Sequence, residues 1–550
     1  MESGCLHDVL VPKSGSRLEF AYYGARVKTP LSNRGANMDV IRRSLVALTL
    51  LVGGCVENPI TGERELGFVS MAQQIAIGEQ QYLPAQQMQG GRYRVDEALT
   101  GYVQAVGARV AAASGVELPY EFVVLNNSVP NAWALPGGKL AVNRGLLTEL
   151  SNEAELAAVL GHEIAHAAGR HGAKSIERGM VSQAVLVGVA VGAADSEYAG
   201  TALGVAQTAA GLINQKYGRD AEREADYYGT RFMARAGYDP HAAVTVQQKL
   251  LALSERGETS WIEGLFASHP PSAERVANNR ALVETLRAEG FQGGEFGAQA
   301  YQDALRPLRS DADAYAAYDG ARRALAEDRR GDAEARIEEA LRLQDREAAF
   351  HGLRGDLRLA QSRYDDARIN YDRAIERNDG YFAYFLGRGI ARARLGAADA
   401  AEADLTRSLA LLPSAAAYAE LGRLAEAAGD HDRAVRYYLT AGQSGSATGQ
   451  AARTRALPLD LPRRPERYLE AQLSRDAAAR LILQVSNPTP VDLADVTVAV
   501  ETVGQDGARR AYRRTLPALD AGSSRLVLVT EGAAEVLDAR AVPVAARVAN

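Results

Sequence analysis

His162-Glu163-Ile164-Ala165-His166 sits inside an apolar stretch, Glu153 to Gly169, whose composition and borders predict a helix. Asn152 or Ser151 is placed to cap its start, and Gly169 falls where a helix commonly ends. Four residues on a helix advance about 400°, so His162 and His166 share one face, one turn apart. Two imidazoles so placed can hold one metal ion, and imidazole pairs at this spacing suit Zn²⁺. Glu163 lies about 100° round the helix from His162, beside the ion rather than on it. That is the position for a carboxylate that takes a proton from water. Five of the eight histidines of the 550-residue chain fall between His162 and His269, which concentrates the chemistry in this region.

A catalytic zinc site needs a third protein ligand and an open position. His171 comes one residue before the place, Gly172, where an extended His-x-x-x-His-x-x-Gly-x-x-His motif would put a third histidine. On a continued helix it points about 140° away from His166, so a structural or surface role is expected for it. Arg219-Asp-Ala-Glu222-Arg-Glu224-Ala225-Asp226 offers a better donor. On a helix Glu222 and Asp226 share a face, and Glu224 turns away toward solvent. Glu222 can ligate the ion, and Asp226 can accept a hydrogen bond from a ligand imidazole and fix its tautomer. An ordinary charged helix is the plain alternative for this stretch.

These residues, with others, resemble the HtpX-like and CAAX-prenyl-protease-like zinc metallopeptidases, which are gluzincins. The resemblance covers most of residues 58–285. Asn58-Pro59-Ile60-Thr61-Gly62 resembles the opening of exported members, and Asn131-Ala132-Trp133-Ala134-Leu135-Pro136-Gly137-Gly138 the strand and turn before the zinc helix. Glu222-Arg223-Glu224-Ala225-Asp226 resembles the family's Glu-x-x-Ala-Asp, whose Glu is the third ligand, and Ser268-His269-Pro270 with Arg275 its downstream His-Pro…Arg element. The resemblance implies one zinc per chain held by His162, His166 and Glu222, with Glu163 as the general base. It implies that His269 and Arg275 stabilise the oxyanion, or that His269 closes the site as a fourth ligand. Trp133, Ala134 and Leu135 are expected on an edge strand that an extended, unfolded or misassembled protein substrate can join through its main chain.

The rest of the chain divides by pattern. Residues 1–37 show no periodicity and read as a gene-start extension, with translation beginning at Met38. Residues 38–54, with Arg42 and Arg43 followed by a short apolar run, read as a lipoprotein signal peptide. Cys55 is then the lipidated residue and the membrane anchor. Val56, rather than an Asp, after it resembles lipoproteins sent to the outer membrane. The expected location is the periplasm of a Gram-negative bacterium. Residues 55–290 form the metallopeptidase domain. Within it the apolar stretch 184–194 is either a buried helix or a flap that dips into lipid or covers the site.

Residues 312–445 repeat: Gly320, Gly355, Gly389 and Gly422, and Ala333, Ala367, Ala400 and Ala434, recur at 33–35 residues. That period marks paired helices of the tetratricopeptide (TPR) type, whose stacked repeats form a surface for protein partners. Residues 451–475, with three prolines among charges, read as a linker. Residues 476–550 carry short β-rich runs and turns and read as an antiparallel sandwich.

The expected architecture is therefore multidomain: an α+β zincin-type metallopeptidase domain, an all-α TPR solenoid and a small C-terminal all-β domain. Hydrophobic residues at 47% and charged residues at 24% fit a globular chain. A net charge of −6 with no basic domain speaks against nucleic acid. Two cysteines exclude a disulfide scaffold. With the export signal and the repeats, the whole resembles family members that act in quality control of envelope proteins. A TPR adaptor or chaperone for envelope assembly, with minor or latent proteolysis, is the competing expectation.

Overall fold

The computed structural model describes residues 55–189, 202–213, 216–255, 265–478, 480–504, 506–530 and 536–549. The expected extension, the signal peptide and the side chain of Cys55 lie outside the described residues. The apolar run 184–194 is helical as far as Val189, and beyond that it too lies outside them. Among the described residues, no helix is long and apolar enough to cross a membrane.

The described chain falls into two compact units. One holds the residues up to Ala391 with Ala410–Pro413, the other Arg392–Leu409 and the residues from Ser414 onward. In chain order the first unit begins with a small hairpin, β1 (Cys55–Glu57) and β2 (Arg64–Leu66), then helices α1 (Met71–Met88) and α2 (Glu97–Ser114). Val103, Val106 and Val110 form the buried stripe of α2, as their spacing predicts. Strands β3 (Glu121–Leu125), β4 (Ala132–Leu135) and β5 (Lys139–Asn143) make one sheet in the order β3-β5-β4, with β3 parallel and β4 antiparallel to β5. The turn between β4 and β5 uses Gly137 and Gly138 at φ +79° and +89°, a region that favours glycine. A short helix α3 (Arg144–Glu149) leads into the histidine-bearing α4 (Glu153–Ala168). Asn152 caps α4 by accepting from the amide of Glu155, and Gly169 ends it.

Helices α5 (His171–Val189), α6 (Ala202–Ile213), α7 (Arg219–Arg235), α8 (His241–Glu255), α9 (Leu265–Ser268) and α10 (Ala273–Ala288) follow. Helix α11 (Ala298–Ser310) precedes the paired helices: α12 (Ala312–Ala326) with α13 (Arg330–Leu343), and α14 (Ala348–Ala360) with α15 (Tyr364–Arg377). The apolar core does not break at 290–312. It runs from Tyr93 and Leu160 through Phe232 to Tyr315, Phe350 and Leu357. The Arg144 guanidinium lies 3.5 Å from the centre of the Tyr315 ring, and Glu347 accepts from the Asn126 amide. The first two helix pairs thus share one core with the residues around α4, a junction that periodicity alone could not reveal.

Helices α16 (Phe382–Arg394) and α17 (Ala398–Leu411) follow, and then the pair α18 (Ala415–Ala427) with α19 (His431–Ala441). Two of the repeated glycines share a physical reason. A Cβ on Gly355 would stand 2.8 Å from the Tyr371 ring, and one on Gly422 2.5 Å from the Tyr438 ring, so glycine admits a tyrosine from the second helix of its own pair. The repeated alanine of α17 is corrected by one position: Ala401 is fully buried, whereas Ala400 is partly exposed.

The stretch 451–475 is not a linker. Helix α20 (Ala447–Asp460) covers its first part, and strand β6 (Glu470–Arg475) its last. Buried Asp460 accepts from Arg464, Arg467 and the Tyr468 hydroxyl, so the chain around Pro465 folds about one carboxylate. Strands β7 (Leu481–Ser486), β8 (Leu493–Gly504), β9 (Arg509–Leu519), β10 (Ser524–Thr530) and β11 (Val536–Val548) complete two antiparallel three-stranded sheets, β10-β7-β6 and β11-β8-β9. Their inward residues, among them Leu483, Val485, Val498, Val500 and Leu519, form one core, which makes the expected sandwich.

Candidate metal centre

Two helices bring the site together, and they can do so because they touch through glycine. A Cβ on Gly161 in α4 would lie 2.6 Å from the carbonyl oxygen of Gly229 in α7. With no side chain between them the backbones approach closely. His162 and His166 then face Glu222 and Asp226, which lie one turn apart on α7.

One donor atom each from His162, His166, Glu222 and His269 lies within 4.8 Å of the others. The Nε2 atoms of His162 and His166 are 3.0 Å apart. Glu222 Oε1 is 3.4 Å from His166 Nε2 and 3.0 Å from His269 Nδ1, and Glu222 Oε2 is 3.5 Å from His162 Nε2. On the far side of the His162 ring, Nδ1 stands 3.0 Å from Asp226 Oδ1. That carboxylate is placed to keep a proton on Nδ1, and an ion that displaces the proton from Nε2 would meet a lone pair facing the other donors. Convergent lone pairs of two imidazoles and a carboxylate are the donor set of a divalent ion of the zinc type, whose bonds of roughly 2.0–2.2 Å demand donors this close. The residues present fit such an ion.

The charge balance agrees. Burial would raise Glu222, but His269, His162 and His166 outweigh it and hold the carboxyl well below its usual range. Burial would likewise raise Asp226, and the Arg275 guanidinium overrides it downward. Burial opposes charge on His162, yet Asp226 and Glu222 prevail and carry it up to about 10. His166 goes the other way: burial, with His162 and His171 beside it, keeps it neutral. A pocket with this excess of carboxylate draws one positive charge to its centre.

Glu163 is buried, with Oε1 3.5 Å from His269 Nε2 and Oε2 without a hydrogen-bond partner. His269 follows α9 and joins the donor cluster. Arg275 does not stand free to meet an oxyanion. Its Nε and Nη2 form a two-pronged pair with Asp226 at 2.7 Å each, and Nη1 reaches Glu222 Oε2 at 3.0 Å and the Pro270 carbonyl at 3.2 Å. It therefore orients the two carboxylates. Trp133, Ala134 and Leu135 point into the core, Trp133 edge-on to Tyr82 with ring centres 6.2 Å apart. What β4 can offer a substrate is its main chain, at the end of the sheet.

Glu224 is not simply solvent-facing, since it lies 3.4 Å from both His171 Nε2 and Asn58 Nδ2. Tyr217 escaped sequence reasoning altogether. Its ring stacks on His166 with centres 4.1 Å apart and planes 22° from parallel. Burial, reinforced by Glu163 and Glu222, pushes its phenol upward and keeps it neutral. Its place five residues before Glu222 was the available signal. A cavity of about 40 Å³ opens beside His162 and Glu163, with Val159, Val246, Leu250 and Leu265 among its walls.

The model of peptidase family M48 matches residues 97–283. The mitochondrial metalloendopeptidase OMA1 of Schizosaccharomyces pombe is 33% identical over 224 residues, 40% of this chain and 63% of that protein. The beta-barrel assembly-enhancing protease of Escherichia coli K12 is 30% identical over 227 residues, 38% of this chain and 46% of that protein. The metalloprotease YcaL of Escherichia coli K12 is 33% identical over 184 residues, 32% of this chain and 68% of that protein. The chain thus spans less than two thirds of the length of the first two. Among solved structures, a thermophilic TPR protein of Thermus thermophilus is similar at 23% identity and a TM-score of 0.25, covering 32% of this chain and 95% of that one. Taken with the donor set on α4 and α7, the family model and the match to YcaL decide the family: the chain belongs to peptidase family M48.

Proposed function

We propose that the chain is a zinc metalloendopeptidase that cleaves unfolded or misassembled proteins. The observation that carries this reading is the convergence of His162, His166, Glu222 and His269 on one point with a buried, underused Glu163 carboxylate beside it. His162, His166 and Glu222 would hold the ion. Bound zinc supplies Lewis acidity, which acidifies water and polarises a carbonyl. Glu163 Oε2, free of other partners, accepts the proton from the attacking water and delivers it to the departing amine nitrogen. Such proton transfer contributes roughly 10²–10⁴-fold. Asp226 and Arg275 keep the donors aimed. His269 occupies the remaining side of the cluster, so it gates the site as a fourth donor or turns to the oxyanion. The main chain of β4 pairs with an extended substrate, and the cavity beside Glu163 takes a short apolar side chain next to the scissile bond.

The wider role we propose is quality control of envelope proteins in the periplasm, with Cys55 lipidated at the outer membrane and the helical repeats recruiting protein partners. The similarity to a protein named beta-barrel assembly-enhancing protease and the apolar run before Cys55 support it. The central test compares the native chain with Glu163→Gln and Glu222→Ala. Glu163→Gln is expected to keep its zinc and lose casein cleavage by roughly 10²-fold or more, and Glu222→Ala to lose both. Undiminished cleavage by Glu163→Gln rejects the mechanism. Fatty-acid labelling that persists in Cys55→Ser rejects the anchor.

A further inference from the structure

His171, Glu224 and Asn58 are three polar residues that the catalytic reading leaves unused, and they lie in one row behind His166. We propose that this row positions His166 for the metal, which makes the N-terminal turn a working part of the metal centre. The inference rests on the metal-site reading above.

The argument is one of proton placement. The His166 ring is buried, with Nε2 in the donor cluster and Nδ1 2.8 Å from His171 Nδ1. A nitrogen that binds a metal must present a lone pair, so the His166 proton sits on Nδ1. That N–H donates to His171 Nδ1, which must accept and therefore carries no proton. The His171 proton is then on Nε2, which faces Glu224 Oε1 at 3.4 Å. Glu224 Oε1 is in turn 3.4 Å from the amide nitrogen of Asn58. His162 reaches a carboxylate directly, through Asp226. His166 reaches one through a second imidazole. Each ligand ring thus backs onto a carboxylate of α7, directly at 3.0 Å or through a second imidazole at 3.4 Å, close enough to bias its tautomer.

The backbone is arranged to allow this. Helix α4 stops at Ala168, and Arg170 takes φ +61°, so the chain turns and His171 opens a new helix. The turn swings His171 back onto His166, where a continued helix would carry it away. Gly169 makes room for the ring: a Cβ there would stand 3.0 Å from His171 Nε2. At the other end Asn58 is fully buried. Its turn is closed by hydrogen bonds from its own amide to Glu63 O and from the Gly62 amide to its carbonyl, both 2.8 Å. Its side-chain amide also donates to Glu65, which Lys174 of α5 holds at 2.9 Å. The Asn58-Pro59-Ile60-Thr61-Gly62 stretch folds so as to deliver one buried amide to Glu224.

The test is zinc affinity of the full chain, measured by competition with a colorimetric chelator, with melting of the zinc-free protein in parallel. His171→Phe keeps a ring but removes the acceptor. Glu224→Gln keeps shape but removes the charge. His171→Phe is expected to weaken zinc binding roughly 10–100-fold, and Glu224→Gln by less. The double variant should be no weaker than His171→Phe alone, since both act along one row, while zinc-free melting stays close to native. Should His171→Phe fail to fold, Glu224→Gln decides the matter alone. Native affinity in the folded variants, or fully additive losses in the double variant, overturns the inference and leaves the metal site standing. A native chain that takes up no zinc overturns the metal-site reading itself, and the row with it.

Discussion

Gly161 and Gly229 meet backbone to backbone: a Cβ on Gly229 would lie 2.7 Å from the His162 amide nitrogen. The contact sets the distance between the helix of the histidines and the helix of Glu222. Gly229→Ala must push the two apart, because neither side of the contact is a flexible side chain. Overpacking of this kind costs about 1–3 kcal/mol, and the displacement falls on the donor atoms. The variant is expected to fold with a lowered melting temperature and to bind zinc at least tenfold more weakly. Native zinc affinity in a folded Gly229→Ala chain would show that the crossing does not set the site.

Much of this site was legible because helix geometry is local. The spacing of His162 and His166, and of Glu222 and Asp226, follows from about 100° per residue and needs no partner. The roles of Gly229, Tyr217 and Arg275 were not legible. Each depends on which residues a second helix or loop brings near, and that is settled by packing between segments far apart in the chain. His171 was misplaced for a different reason: the projection assumed a continued helix, and a single left-handed residue at Arg170 ended it. In the fold, periodic signals survived and junctions did not. The repeat period and the strands read correctly, with one alanine off by a position, whereas the shared core beneath the first helix pairs left no pattern in the chain.

The cavity beside Glu163 makes substrate preference testable. Val246 forms part of its wall and is buried. Val246→Phe fills the space, so peptides carrying Leu or Val beside the scissile bond should lose about 10–200-fold in kcat/KM. Peptides with Gly there should change little. Mass-spectrometric mapping of the cuts in a denatured protein measures both. An unchanged preference places the specificity pocket elsewhere.

The first helix pairs carry a pH dependence of their own. His351 is buried, with Nε2 donating to the Asp345 carbonyl at 2.8 Å and Nδ1 lacking a partner. Burial lowers the imidazole to about 4; the hydrogen bond to Asp345 works against this, and Arg377, Arg354 and Arg373 add to the lowering. A histidine lowered on folding stays neutral in the native state while the unfolded chain takes up the proton. Its contribution is therefore whole above about pH 6.5 and is lost as the pH falls toward 4, by up to about 3 kcal/mol. Asp356, raised by burial to about 7, runs the opposite way in much of this window. The difference between native chain and variant isolates His351. His351→Gln should flatten the loss of denaturant stability between about pH 7 and 4.5, and parallel curves would exclude the effect.

The segment between Asp460 and Tyr468 gives the last test, because its two readings predict different things. A solvated tether would tolerate any change of charge. Here the Asp460 carboxylate is buried and accepts from Arg464 at 2.9 Å, from Arg467 at 3.1 Å and from the Tyr468 hydroxyl at 3.0 Å. Asp460→Ala strips all three donors of their acceptor, at about 1–3 kcal/mol. The two arginines are more than a third exposed and recover water, so the loss should lie toward the lower end. The variant should be cut faster by trypsin at Arg463 and Arg467, and its C-terminal strands should unfold at lower denaturant. Arg463→Ala, which removes only an exposed pair with Asp432, should leave unfolding unchanged. Equal unfolding in Asp460→Ala and Arg463→Ala would return the segment to a passive tether.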